Sequence, residues 1–140
     1  TGKSYTALES DYDSSGNLTV RIAANTDGTH TITAFQAGLT IEGTNGADKL
    51  VSAGNNDTFV FRPNFGNDTI IKFNAGTQTG HDVITIDDTI AHTLTDLTFH
   101  QSGHDTLITT GTGDSILVKN TQVADVQHDV TFFHHGDGLI

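Results

Sequence analysis

Six aspartates in this chain are each followed two residues later by a large aliphatic or aromatic residue, usually with Gly or Asn just ahead. The pairs are Asp48/Leu50, Asp57/Phe59, Asp68/Ile70, Asp82/Ile84, Asp105/Leu107 and Asp114/Ile116. Gly and Asn tolerate the positive φ of a tight turn, so the carboxylate and the turn carbonyls can face a common point. The apolar residue then anchors the following strand in a core. Such a unit suits a hard cation.

The best copy of the unit is Gly43-Thr-Asn-Gly-Ala-Asp-Lys-Leu-Val51. It matches the nonapeptide G-G-x-G-x-D-x-U-x of calcium-binding β-helices except for Thr44 at the second glycine. The next nine residues, 52–60, repeat the frame with Asp57 and Phe59 in register. On these residues the chain resembles the RTX (repeats-in-toxin, haemolysin-type) calcium-binding family. Residues 43–133 are similar to the C-terminal calcium module of serralysin-type proteases and other type I-secreted bacterial proteins.

The resemblance implies a short calcium-binding parallel β-roll, in which each nonapeptide supplies one turn and one strand of two facing sheets. Turns on the same edge then lie about 18 residues apart, and the family places the ion between two such turns. Carried over, the first calcium site comprises Gly43, Asn45 and Asp48 facing Asn64, Gly66 and Asp68. The second comprises Ser52, Gly54 and Asp57 facing Gln78, Gly80 and Asp82, with a loop at residues 74–79.

The residues themselves predict an all-β fold, because short runs of Thr, Val, Ile and Phe alternate at a period of two between Gly, Asn and Asp. Strands are expected at residues 18–24 and 30–35, joined by a hairpin at Asp27-Gly28. We expect residues 1–42 to be an antiparallel lead-in or cap. Residues 43–140 should form the β-roll merging into an antiparallel β-sandwich, with both parts in one compact domain. A helical turn is expected only at residues 91–97.

The composition narrows the partners of the protein. Its 140 residues carry a net charge of −11, which disfavours nucleic acid and anionic membranes and favours divalent cations. No apolar run is long enough to span a membrane. The chain has no Cys and no Met, and it opens without a signal-peptide pattern. We expect a segment of a larger secreted protein that meets calcium outside the cell.

Catalytic patterns are absent from the sequence. There is no H-E-x-x-H, no G-x-S-x-G and no Cys nucleophile. Asp87 and Asp88 are adjacent on a strand and so point to opposite faces. His100 and His104 lack a zinc-like frame, and His81 and His104 are expected to face water in their Gly-His-Asp turns. We therefore expect a protein that is not an enzyme.

Not every aspartate of the six is expected to bind metal. Asp105 and Asp114 are nine residues apart, which places them on opposite edges without a partner on the same edge, so an ordinary turn role is preferred. Asp48 and Asp68 are different, since two carboxylates brought together without a cation would repel.

The resulting hypothesis is a non-catalytic calcium-binding module that folds on calcium after type I export. The alternative is a calcium-stabilised carbohydrate-binding or adhesive module attached to a polysaccharide-active enzyme, with an extracellular polysaccharide as its partner. Its candidate sugar-stacking rings are Tyr5, Tyr12, Phe35 and Phe65. The tail at residues 129–133 is either a final core strand or part of an export signal, and Val130 and Phe132 should share one strand face.

Overall fold

Residues 9–12, 18–24, 29–35, 38, 40–42, 46–52, 56–75, 81–111 and 113–133 are described by a computed structural model of the chain. Twelve strands and one short α-helix run through these ranges. The strands are β1 Glu9–Tyr12, β2 Leu18–Ala24, β3 His30–Ala34, β4 Thr40–Glu42, β5 Asp48–Val51, β6 Thr58–Phe61, β7 Asn67–Ile71, β8 Val83–Asp87, β9 Thr98–Ser102, β10 Asp105–Thr109, β11 Ser115–Val118 and β12 Val130–Phe133. The helix is α1, Val123–His128.

The strands form two sheets. The large sheet has eight strands in the order β1-β2-β3-β5-β7-β11-β10-β9, and the small sheet has four in the order β12-β8-β6-β4. In the large sheet β3, β5, β7 and β11 are parallel, while the strands on both flanks are antiparallel. The small sheet is parallel throughout. The predicted all-β class is confirmed, and both parallel and antiparallel pairings are present.

Successive strands from β4 to β8 belong alternately to the small and the large sheet. The spacing of the turn units accounts for this order, because each unit supplies one strand and the chain changes sheet at the next turn. Asp48 and Asp68 consequently lie at the starts of neighbouring parallel strands of the large sheet, as the first residue of β5 and the second residue of β7. Asp57 and Asp82 precede neighbouring parallel strands of the small sheet.

The apolar residues that follow the aspartates by two positions supply part of the core. Five of these six side chains are completely buried: Leu50, Phe59, Ile70, Ile84 and Ile116. Leu107, which follows Asp105, is only half-buried. Full burial of an Ile, Leu or Phe side chain contributes roughly 1.5–3 kcal/mol. The turn units are therefore held in place from the core side as well as by their hydrogen bonds.

The N-terminal strands partly follow the sequence prediction. β1, β2 and β3 form an antiparallel meander, with β2 and β3 close to the predicted bounds. The Asp27-Gly28 hairpin lies outside the described residues. β3 then pairs in parallel with β5, and β4 pairs in parallel with β6. The segment before residue 43 thus contributes to the parallel part of both sheets as well as to an antiparallel meander.

Two short helical segments occur in the described ranges. A 3-10 helix at Leu94–Asp96 lies inside the predicted helical turn. The expectation of no further helix was wrong, since α1 spans six residues with Val126 completely buried. A helix this short spans less than two turns, too few for a period of 3.6 to show in the sequence. Neither segment, nor any other helix of the described residues, has the length and apolarity needed to cross a membrane.

The last described strand, β12, lies beside β8 at the edge of the small sheet and runs parallel to it. Val130 and Phe133 are buried, and Phe132 packs against the core from a partly buried position. The guanidinium of Arg62 lies 5.2 Å from the centre of the Phe133 ring, within the range of a cation–π contact. Residues 130–133 are thus a core strand, whatever further role the tail has.

Candidate metal centre

Aspartates lie just before, or within the first two residues of, parallel strands in both sheets. We call Asp48, Asp68 and Asp114 the large-sheet row, because they lie at the starts of β5, β7 and β11. We call Asp57, Asp82 and Asp129 the small-sheet row, because they precede β6, β8 and β12. All except the half-buried Asp114 are at most 2% exposed. Buried carboxylates in such rows require donors, cations or protons to be stable.

Asp68 has the least satisfied carboxylate of the large-sheet row. The backbone N–H of Asp48 donates to its Oδ1 at 2.9 Å. Its Oδ2 is buried and accepts no hydrogen bond from the described residues. Burial raises the pKa of Asp68 to about 8, helped by the charges of Asp48 and Asp114 and opposed by the Asp48 hydrogen bond. A cation bound beside Oδ2 would supply the missing partner.

His30 is a neighbour of this row that the sequence analysis missed. β3 pairs with β5 so that His30 lies directly across from Asp48, and its Nδ1 is 3.6 Å from Asp48 Oδ1. The Asp48 side chain is completely buried there, and that of His30 is 19% exposed. No local pattern identifies this pair, because it depends on the parallel pairing of β3 with β5.

The turn that carries Asp68 has the predicted backbone geometry. Asn64 and Gly66 both have positive φ, at 67° and 88°. The predicted cage directs the Gly66 carbonyl towards Asp48, but this oxygen accepts the N–H of Ser115 at 3.0 Å and so faces β11. The Gly66 carbonyl therefore joins β7 to β11 through this hydrogen bond.

The expectation that Asp114 has no partner on its own edge needs correction. Asp114 was expected to lack a partner on its own edge, yet its Oδ1 accepts the N–H of Gly66 at 3.2 Å. The expectation failed because it continued the nonapeptide count. The chain instead makes an antiparallel excursion through β9 and β10 before β11 returns beside β7.

In the small-sheet row, a serine hydroxyl contacts two of the aspartate carboxylates. Ser52 Oγ lies 2.6 Å from Asp82 Oδ2 and 3.0 Å from Asp57 Oδ2. The backbone N–H of Asp57 donates to Asp82 Oδ1 at 2.9 Å, and that of Asn74 donates to Asp82 Oδ2 at 2.9 Å. A hydroxyl has a single proton, so the serine must share it between two carboxylates that are both 0% exposed.

The third member of the small-sheet row has a different partner. His81 Nδ1 lies 2.9 Å from Asp129 Oδ1, with the His81 side chain 38% exposed. The expectation that His81 simply faces water is thus corrected. Asp129 comes next to His81 only because β12 pairs with β8, a contact between residues far apart in the sequence.

Other predicted residues have mixed outcomes. Five of the predicted ligands lie outside the described residues: Gly43, Asn45, Gly54, Gln78 and Gly80. Among the predicted ligands that the structure describes, Asp48 contacts Asp68, and Ser52 contacts both Asp57 and Asp82. Asn64 and Gly66 lie in the same turn as Asp68.

Asp105 contacts Lys119 Nζ at 2.9 Å and the Asn120 N–H at 2.7 Å. These two partners, the Asn120 hydrogen bond first, lower the pKa of Asp105. Asp105 thus holds a turn, the role preferred for it in the sequence analysis.

The rings proposed for sugar stacking differ in their exposure to solvent. Phe65 is buried, with its ring 4.8 Å from that of Phe61 in an edge-on arrangement, so it cannot stack on a sugar. Phe35 is 48% exposed. Tyr5 lies outside the described residues, and of Tyr12 only the strand position is known.

Chemically, each row offers oxygen ligands to a hard cation. Across the ranges the structure describes, no three His, Asp or Glu side chains converge as a metal cluster. Calcium takes about six to eight oxygens, so a cation at either row would combine carboxylates with carbonyls or water. No protein-family model matches the sequence, and no curated protein matches it significantly.

Proposed function

We propose that this chain is a non-catalytic, RTX-type calcium-binding module of a larger secreted bacterial protein. In this proposal strands β4 to β8 form a short parallel β-roll, and the remaining strands extend it as an antiparallel β-sandwich. The alternation of β4 to β8 between the two sheets supports the roll. The primary cation site lies between the turns of Asp48 and Asp68.

One observation carries the proposal. Asp68 is 2% exposed, accepts the backbone N–H of Asp48, and has one carboxylate oxygen without a hydrogen-bond donor among the described residues. An unpaired carboxylate oxygen in such a place destabilises the fold unless a proton or a cation neutralises it. Calcium is the best candidate, since it accepts irregular cages of carboxylates and carbonyls, whereas magnesium demands near-ideal octahedral geometry.

The proposed mechanism is thermodynamic linkage. The row forms only when the parallel strands pair, so the unfolded chain has no preformed site and calcium binds the folded state selectively. The free energy of binding then adds to the free energy of unfolding. A chain that is unstable without calcium would stay unfolded during type I export and fold in a calcium-rich medium.

The test is thermal unfolding with calcium, with magnesium and with a chelator. Millimolar calcium should raise the melting temperature strongly, and magnesium should raise it little. Asp48→Ala should remove most of the calcium effect. Asp105→Ala is the matched control, because Asp105 lies outside both rows and is paired with Lys119. Equal stabilisation by both cations, or equal effects of the two substitutions, would reject the site.

A second candidate function is a calcium-stabilised carbohydrate-binding or adhesive module. Phe35 supports it as an exposed ring directly after β3, and aromatic faces are suited to stacking. A glycan array probed with and without calcium tests this candidate, with Phe35→Ala as the control variant. Binding that survives Phe35→Ala would exclude this ring as the stacking surface.

A further inference from the structure

The turn of Asp68 is fastened to the start of β11 by three hydrogen bonds. Gly66 N–H donates to Asp114 Oδ1 at 3.2 Å across 48 residues of sequence. Ser115 N–H donates to the Gly66 carbonyl at 3.0 Å, and Ser115 Oγ donates to Asn67 Oδ1 at 2.8 Å. The turn that presents Asp68 is therefore braced by a strand outside the predicted roll.

Asp114 also acts on Asp68 through its charge. Its carboxylate accepts the N–H of Gly66, two residues before Asp68, so its negative charge lies in the same turn as the Asp68 carboxylate. The Asp68 Oδ2 atom, buried and without a donor among the described residues, thus lies in the field of carboxylates on both neighbouring strands. A divalent cation at Oδ2 would be attracted by all three charges.

We infer that Asp114 is a positioning residue for the cation site at Asp48 and Asp68, holding the Gly66 turn and adding negative charge that the cation neutralises. The inference rests on the proposed function. It assigns a role to the antiparallel β9–β11 segment, which would otherwise only extend the sheet. Calcium would then link the roll to this segment, since the site is complete only when β11 has docked on β7.

The small-sheet row offers a contrast. Its third carboxylate, Asp129, lies 2.9 Å from His81, which can carry the opposite charge. In the large-sheet row, His30 Nδ1 lies 3.6 Å from Asp48 Oδ1. The third carboxylate of the small-sheet row thus lies beside a histidine side chain, and that of the large-sheet row accepts a backbone N–H.

Two substitutions at Asp114 separate its two roles. Asp114→Asn keeps an oxygen that accepts the Gly66 N–H but removes the charge. Asp114→Ala removes both. Asp105→Asn is the control for charge alone, because Asp105 lies in the same antiparallel segment and contacts Lys119 instead of the row. Calcium affinity is measured by titration calorimetry, and the melting temperature is measured in chelator.

For Asp114→Asn we expect the calcium dissociation constant to rise roughly three- to tenfold, from the loss of one nearby charge. Its melting temperature in chelator should stay the same or rise, because a like charge beside Asp68 is gone. Asp114→Ala should weaken calcium binding further and melt at a lower temperature in chelator. Asp105→Asn should change the dissociation constant by less than about twofold.

Wild-type affinity in both Asp114 variants would overturn the inference alone, with the proposed function intact. A loss of affinity in Asp114→Asn that is matched by lower stability in chelator would also overturn it, since a merely structural role predicts that result. A wild-type protein that binds no calcium would reject the proposed function, and the inference with it.

Discussion

The backbone N–H of Asp48 donates to the carboxylate of Asp68 at 2.9 Å, although the two residues are 20 positions apart. The contact joins the start of β5 to the start of β7 and connects two almost completely buried aspartates. A hydrogen bond compensates only part of the cost of burying a charge. The pairing of β5 with β7 therefore places a costly polar group, the Asp68 carboxyl, inside the fold.

The first prediction concerns pH in the absence of divalent cations. The pKa of Asp68 is raised from 3.8 to about 8, so between these values the folded state keeps a proton that the unfolded state releases. The free energy of unfolding should then fall as pH rises through this window, by at most about 1.4 kcal/mol per pH unit. Urea denaturation in chelator at pH 5, 6, 7 and 8 measures it.

Asp68→Asn is the control for the pH prediction, since the amide does not titrate. The free energy of unfolding of the wild type should fall relative to that of Asp68→Asn as pH rises in chelator. Calcium should stabilise the wild type more at pH 8 than at pH 5. A wild-type protein that gains stability relative to Asp68→Asn as pH rises in chelator would contradict the pKa assignment.

The second prediction concerns the serine that closes the small-sheet row. Ser52→Ala removes a hydroxyl that lies within 3.0 Å of two buried carboxylates. We expect a loss of about 2 kcal/mol in chelator, the range for hydrogen bonds to charged groups. Ser115→Ala is the comparison, because its hydroxyl bonds only Asn67 at an exposed position. Equal losses in the two variants, measured by urea denaturation, would refute the bridging role.

The third prediction concerns the backbone at Gly66. With φ at 88°, this position is unfavourable for a β-branched residue. Gly66→Val should cost roughly 1–3 kcal/mol and should weaken calcium binding, because the turn and its hydrogen bonds to β11 are distorted together. Gly111→Val is the control, since a Cβ there meets nothing within 4 Å and φ lies outside the positive range. Unchanged calcium affinity in Gly66→Val would show that this glycine does not shape the site.

The fourth prediction concerns β12. Phe133→Ala removes a buried ring and its contact with Arg62, so the free energy of unfolding should fall by about 3–5 kcal/mol. Thr131→Ala, at an exposed position of the same strand, should cost less than about 1 kcal/mol. Similar stabilities of both variants, measured by urea denaturation with calcium present, would mean that β12 is dispensable to the core.

The sequence predicted the local parts of this fold well. The Asp and apolar pairs identified five completely buried core residues and located Asp48 beside Asp68 and Asp57 beside Asp82. These contacts span 20 and 25 residues, and they follow from a spacing that the chain repeats. The positive φ of Gly66 is also the conformation that its residue type favours in a tight turn.

Contacts that break the repeat could not be predicted in the same way. Asp114 reaches Gly66, and Asp129 reaches His81, through strands that return to the sheets after antiparallel or helical excursions. His30 meets Asp48 through a parallel pairing that no turn residue indicates. In each case the position of the residue depends on which edge strand of a sheet is available for pairing. That availability is a property of the folded state.

The strand pairings within the repeat and those made after the excursions differ in the length of the chain loop that each pairing closes. β5 meets β7, and β6 meets β8, across 20 and 25 residues, while β11 meets β7 and β12 meets β8 across 48 and 47. Doubling a loop adds only about 0.6 kcal/mol of closure entropy, but distant contacts slow the search for the native topology. The shorter pairings can therefore form first and act as a template on which β11 and β12 dock late.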